Sequence, residues 1–312
     1  MKTYTSLNYT ASSPGVIALG CFDGIHLGHQ AVIQSAKEHA LRLGLPLTVW
    51  TFEEPPKNYF FPGSVPLITD KRAKREQMRQ LGVDTLVCVP FEKQICHLEA
   101  EAFFDTILVD RLNAAHIVCG FDYSFGAGGK GNVALLSKLC HNAKIGLTVL
   151  PAVTVDGQTA SSSAIRQAME AGEAERVTAV LGRPYSLRTV VVNGQKLARQ
   201  LGFPTVNQAF SPGILVPRYG VYATRVTMQG TKKCYYGITN VGVRPTVGGE
   251  TLCAETHIFD FNGDLYGKWV KVEFLSFIRG EIQFESLEAL QKQVYADIAQ
   301  AAEIIAIKFK KC

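Results

Sequence analysis

Short, continuously apolar runs alternate with helical patterns up to about residue 155, and no other feature restricts the folding of this chain as much. "VIALGCF" (16–22) reads as a buried strand, and the following "HQAVIQSAKEHALRL" puts Val32, Ala36, Ala40 and Leu43 on one helical face. "LPLTVWTF", "DTLVCVPF", "AHIVCGFDYSF" and "LTVLPAVTV" repeat the strand pattern, separated by helical stretches such as "LEAEAFFDTILVDRL" and "NVALLSKLCHNA". Strands without polar alternation are covered on both faces, which predicts an α/β half built on a parallel sheet. In such sheets ligands sit beyond the carboxyl ends of the strands.

From about Leu187 the rhythm changes. "LRTVVVNG", "YGVYATRVTMQG", "KKCYYGITNVG", "CAETHIFDFNG" and "GKWVKVEFLSFI" are β-branched and aromatic runs separated by glycine turns, the pattern of a mainly antiparallel β-barrel. A terminal helix follows, with Leu287, Leu290, Val294, Ile298, Ala301 and Ile305 on one stripe, suited to packing on the barrel. Two short helical patterns (Ser161 to Ala171 and Glu173 to Leu181) and "GRPYS" separate the halves, which predicts domains over 1–182 and 183–312.

Hydrophobic residues make up 47% of the 312 and charged residues 19%, enough to bury two cores and unlike the composition of a disordered chain. The formal charge of +5 is mild. Its densest block, "DKRAKREQMRQ" (Asp70 to Gln80), reads as the solvated face of a helix and lacks the interleaved aromatics of a nucleic-acid site. The cysteines at 21, 88, 96, 119, 140, 234, 253 and 312 form no CxxC pair, and most lie in apolar runs, so free buried thiols in a reducing compartment are expected. The first twenty residues have no basic start, and no apolar run is long enough to span a membrane. The expectation is a cytoplasmic protein without nucleic-acid or membrane partners, its self-association left open.

"GCFDGIHLGHQAV" (20–32) sits at the junction of the first strand and first helix. Glycines there allow a backbone to approach a phosphate, and the helix start near Gly28 offers free N–H groups and a positive dipole end. His26 and His29, three apart, lie on one side of that turn and can donate to phosphate oxygens. A capped helix with incidental histidines is the plain alternative, and a metal site would need further ligands. "TASSSAIRQAM" (159–169) adds serines at a second helix start, with Arg166 in its first turns, another natural partner for an anion or simply a capped terminus.

The HxGH pattern after a first strand resembles the nucleotidyltransferase superfamily, and the missing KMSKS loop disfavours tRNA charging. "CGFDYSFGAGGKG", "SSSAIRQAMEAGEAERVTAVLGRPYS", "LGFPTVN", "NVGVRPTVGG", "ETHIFDFNGDLYGK" and "FIRGEIQFESLEALQ" follow in the order expected of the bacterial bifunctional riboflavin kinase/FMN adenylyltransferase family, which the chain resembles over nearly its whole length. The resemblance implies a Rossmann-like nucleotidyltransferase half joining FMN and ATP into FAD and pyrophosphate. It implies a barrel half moving the ATP γ-phosphoryl group onto riboflavin, with Mg²⁺. By the same resemblance Gly20, Phe22, Asp23, His26, Gly28 and His29 surround ATP in the first site, and Ser162 and Arg166 contact phosphates or flavin nucleotide. Asp122 and Arg279 are placed near flavin, Gly194, Gly202, Thr205 and Asn207 at the kinase ATP, Thr205 and Asn207 at the metal, and Glu255 as the base. Competing readings are a turn-capping Asp122, an ion-paired Arg279 and a solvated Glu255.

The kinase half departs from the family pattern where the usual glycine near the start of the barrel gives way to "LRTVVV", and at two places in the ATP-binding motifs. Val206 stands where the motif PTAN has alanine, and Ala198 interrupts a GxxxGxxxG-like loop running Gly194, Ala198, Gly202. These changes leave an adenylyltransferase with a weakened kinase, or a non-catalytic flavin sensor, as alternatives to a two-step flavin-nucleotide synthase.

Overall fold

The computed structural model describes residues 1–192, 198, 201–231, 233–246 and 249–309. They form two compact units, Met1–Ala164 and Ile165–Cys312. Gly194 and Cys312 lie outside the described residues.

The first unit is built on β1 (Lys2–Tyr4), β2 (Gly15–Leu19), β3 (Leu47–Phe52), β4 (Thr85–Val89), β5 (Ala114–Gly120) and β6 (Gly146–Leu150), in the spatial order β1-β4-β3-β2-β5-β6 with every pairing parallel. Strand alternation divides the core between two faces. Val16 and Ala18 of β2 pack with Val32, Ile33 and Ala36 of the Leu27–Leu43 helix, while Ile17 and Leu19 pack with Trp50, Phe103 and Leu136. Both faces are apolar because both are covered. From β2 the chain winds outward through β3 to β4, then returns to place β5 on the other side of β2. The carboxyl ends of β2 and β5 therefore flank the switch point of the sheet, where doubly wound folds leave a crevice.

At the opposite, amino ends of these strands, His39 of the first helix and His116 of β5 stack with ring centroids 3.9 Å apart. Thr148 Oγ1 lies 3.0 Å from His39 Nε2 and 2.9 Å from His116 Nε2, and Arg42 Nη2 lies 2.7 Å from His39 Nδ1. A guanidinium only donates, so His39 Nδ1 accepts and its proton sits on Nε2, facing the threonine. Burial, then His39 and Arg42, lower the His116 pKa to about 4, against about 6.5 in an unfolded chain. The unfolded chain thus takes up a proton that the folded one refuses, and stability falls as pH drops from about 6.5 toward about 4. His116→Phe, which keeps a stacked ring without a titrating group, should flatten this acid-side loss of the first unit's melting temperature, measured by thermal unfolding across that range.

A short hairpin, β7 (Thr154–Val155) with β8 (Gln158–Thr159), leads to the helix Ser162–Ala171. In the second unit, the helix Ala174–Leu181 stops at Gly182, whose φ of 70° ends it in the left-handed region. Then come β9 (Tyr185–Val190), β10 (Thr205–Ala209), β11 (Gly220–Met228), β12 (Cys234–Thr246), β13 (Gly249–Ile258) and β14 (Trp269–Arg279). They form a six-stranded antiparallel sheet in the order β10-β13-β12-β11-β14-β9, curled into a half-barrel. Its two edges approach each other: Val192, just past β9, bridges to Asn207 of β10, and Gln208 Nε2 donates to Thr189 O and Val270 O. Inside, Thr224, Thr239 and Thr256 are fully buried, their hydroxyls linked at 2.9 Å from strand to strand. On the outer face, Val221, Ala223 and Ile238 pack with Ala301 and Ile305 of the Leu287–Lys308 helix, the expected stripe, although Leu287 at its start is half exposed.

Six cysteines (21, 88, 96, 119, 140 and 253) are free, but Cys234 is disulfide-bonded, which corrects the expectation of free thiols throughout. Cys234 opens β12 and is only half-buried, so the core does not sequester its sulfur.

Candidate functional sites

A cavity of about 730 Å³ opens where β2 and β5 end. Gly20, Phe22, His26, Gly28 and His29 line it from the loop after β2, Asp122 from the loop after β5, and Ser161, Ser162 and Ser163 from the start of the Ser162–Ala171 helix. The loop after β2 turns sharply. Phe22 (φ 50°), Gly24 (φ 82°) and Ile25 (φ 45°) all lie in the left-handed region, costly for the two side-chain-bearing residues. Phe22 and Ile25 are 0% and 1% exposed, so the core holds them in this strained path.

His26 caps the first helix, its Nδ1 accepting from His29 N at 3.3 Å, and the two imidazoles stack at 3.6 Å. With Nδ1 accepting, a neutral His26 carries its proton on Nε2. Burial, then His26 and Lys74, hold the His29 pKa well below the usual imidazole range, so His29 is uncharged at neutral pH. Gly28 packs closely, since a Cβ there would meet the His26 ring at 3.1 Å, tighter than most such contacts. Ser161 Oγ accepts from Ala164 N and caps its helix, while Ser162 Oγ donates to Asp23 O at 2.9 Å, tying that helix start to the loop. Arg166 follows Ser162 by one turn of the same helix.

Asp23 is not among the cavity-lining residues. It is 4% exposed, and its carboxylate accepts from Ile68 N at 3.0 Å and Thr69 N at 3.3 Å, bracing the loop from behind. The residue that sequence reasoning missed is Lys74. It belongs to the Lys71–Gln80 helix, the supposedly solvated block, yet is 5% exposed and donates to Cys21 O, Thr51 Oγ1 and Phe52 O. A signal was present: Met78, the one large apolar residue of that block, marks the buried face, and Lys74 lies one turn before it. Among the described residues no group of three or more His, Cys, Asp or Glu side chains could hold a metal.

In the second unit a cavity of about 350 Å³ lies between the outer face of the curled sheet and the terminal helix. Asn207, Glu255 and Asn240 are register partners on β10, β13 and β12, so strand alternation points all three the same way. They line the cavity together with Thr205, His257, Arg279 and Asp297. Burial raises the Glu255 pKa, with Arg244 pulling the other way. Arg244 Nη1 donates to Asn207 Oδ1 at 3.2 Å, and His257 Nδ1 is 3.0 Å from Pro204 O, steadying the turn that carries Thr205. Arg279 engages Asp297 of the terminal helix in a bidentate pair, 2.9 Å to Oδ1 and 2.7 Å to Oδ2, joining β14 to that helix.

The two departures in the ATP-binding motifs separate. Val206 pairs with Thr256, which faces the barrel interior, so its bulk points away from Thr205 and Asn207. Ala198 does line the cavity. Gly202 adopts φ 90°, between Leu201 and Phe203, which line the cavity.

A family model described as FAD synthetase matches residues 9–164, and one described as riboflavin kinase matches 181–305. Similar proteins named bifunctional riboflavin kinase/FMN adenylyltransferase include one from Bacillus subtilis (strain 168), 36% identical over 92% of this chain and 91% of its own length. One from Pseudomonas fluorescens is 37% identical over 93% of each chain, and one from Escherichia coli (strain K12) is 34% identical over 98% and 99%. A solved structure titled a macrolide-efflux protein from Streptococcus pneumoniae superposes with a TM-score of 0.88 at 32% identity, covering 97% of this chain and 99% of that one. Among the described residues no helix here is long and apolar enough to cross a membrane, and the family models give that title no support.

Proposed function

The chain belongs to the bifunctional riboflavin kinase/FMN adenylyltransferase family, and from that membership we propose how its residues divide the two reactions. It synthesises flavin nucleotides, converting riboflavin and ATP to FMN and ADP, and FMN and ATP to FAD and pyrophosphate. The carrying observation is that each unit encloses its own cavity and that each cavity collects motif residues of its own unit. We take 1–182 and 183–312 as the functional domains.

In the first cavity FMN attacks the α-phosphorus of ATP. A phosphate monoester has a second pKa of about 6, so the nucleophile is ready at neutral pH and the protein need not remove a proton. The site instead holds the reactants in line and stabilises the spreading charge. Gly20 and Gly28 let the phosphates approach the backbone, His26 and His29 donate to them, and Ser162 and Arg166 add donors from the second helix start. Asp122, exposed at the end of β5, positions the flavin nucleotide.

In the second cavity the nucleophile is an alcohol, and water, a comparable hydroxyl, has a pKa of about 15.7. A base is therefore useful, and Glu255 takes the proton. Thr205 and Asn207 offer uncharged oxygen ligands on one face of β10, a donor set that fits a hard cation shared with ATP phosphates. Bound there, Mg²⁺ supplies charge neutralisation at the transferring phosphoryl group. Arg279, fixed by Asp297, lies at the flavin end, and Gly202 holds the turn beside ATP. ATP as co-substrate makes the cytoplasm the natural compartment.

One chromatographic assay tests this reading, run with MgATP and either riboflavin or FMN. FMN followed by FAD from riboflavin, and FAD directly from FMN, is the expected result. Excess EDTA should stop FMN formation. FAD from FMN with no product from riboflavin would overturn the kinase assignment.

A further inference from the structure

Lysine is seldom buried, and an ammonium out of water costs several kcal/mol unless its donors are satisfied. Lys74 has three N–H donors and meets three acceptors: Cys21 O at 2.8 Å, Phe52 O at 2.8 Å and Thr51 Oγ1 at 3.2 Å. Thr51 Oγ1 itself donates to Cys21 O at 2.8 Å, so the carbonyl preceding the strained Phe22 turn is held twice. One side chain thus ties the end of β3 to the first residue of the phosphate-approach loop that follows Gly20. We propose that Lys74 is a positioning residue for adenylyl transfer, locking this loop in its strained path and fixing a positive charge behind the histidine pair. The inference rests on the assignment of FAD formation to the first unit.

The charge acts on His29, whose pKa it helps to lower after burial and His26. His26 faces His29 from the helix cap, Lys74 from the Lys71–Gln80 helix, and the Asp23 carboxylate is turned to the Ile68 and Thr69 amides. The Cys88 thiol of β4 feels the Lys74 charge together with those of Glu53, Arg75 and Lys71, and Glu53 pairs with Lys71 at 2.6 Å. Phosphates therefore meet a neutral His29 imidazole backed by a fixed cation, an arrangement organised before the reaction begins.

The test uses the full chain. Lys74→Met, similar in length and without charge, should lower kcat for FAD formation from FMN by roughly tenfold to a hundredfold, with a smaller change in KM for MgATP. In the same variant the His29 ring, followed by NMR, should titrate at higher pH than in the parent. Lys74→Arg, which keeps the charge, should restore the titration and most of kcat. Folding of the first unit is read separately by thermal unfolding. If Lys74→Met does not fold, Thr51→Val removes one acceptor and keeps the ammonium, and a several-fold loss of kcat is expected. A folded Lys74→Met with parental kcat and His29 titration overturns the inference, as does parental kcat in Thr51→Val. A parent chain that makes no FAD from FMN overturns the assignment of the first unit instead.

Discussion

Glu255→Gln should abolish FMN formation, a loss of about 10²–10⁴-fold for removal of a general base, while FAD formation from supplied FMN continues at the parental rate. The two effects separate because Glu255 lines only the second unit's cavity. The glutamine keeps the volume and polarity of the side chain and removes its ability to take the ribityl proton. Its effect on stability should run the other way. Burial raises the folded-state pKa of Glu255 above its ordinary value, so the folded chain binds that proton more tightly than the unfolded one. The resulting stability is present below the unfolded pKa and lost as pH rises through the folded one. At neutral pH the charged carboxylate therefore costs stability, and Glu255→Gln should melt no lower than the parent. Parallel assays of both products, with a melting curve, check this. FMN formation at the parental rate would remove Glu255 from the mechanism.

His29→Ala should have the complementary effect, lowering FAD formation by about 10²–10³-fold, the scale of removing one organised donor from a site of developing charge. FMN formation should be unaffected. The ring stacks on His26 at 3.6 Å and meets Phe22 edge-on at 5.1 Å, so the alanine also loosens the turn. His29→Gln, which retains an N–H donor, should recover part of the rate, whereas a purely packing role would leave both variants equal. Rates at neutral pH suffice, because His29 is uncharged there.

The carboxylates show how far sequence alone reaches. Glu255 was singled out by the family resemblance alone, the strand pattern of "CAETHIFDF" leaving a solvated carboxylate as the competing reading; the structure buries Ala254, Thr256 and Ile258 in the curled sheet and puts Glu255 in the cavity lining. The bracing role of Asp23, inside the most conspicuous motif of the chain, was not legible. Its partners are backbone N–H groups of Ile68 and Thr69, and no local pattern announces a pairing so distant in sequence. Arg279 and Asp297 pose the same difficulty, since their pairing depends on where the terminal helix lands.

The sequence by itself determined the α/β and antiparallel halves and the placing of the Gly20–Val32 turn beyond the end of β2, because each follows from periodicity or from residues a few positions apart. Only the tertiary structure decided that Lys74 is a buried clamp, that Val206 turns away from the metal-ligand candidates, and that His39 and His116 share a threonine. Hydrogen bonds and burial are settled by which distant segments meet, and a lysine in a basic block looks the same in sequence whether it faces water or three carbonyl and hydroxyl oxygens.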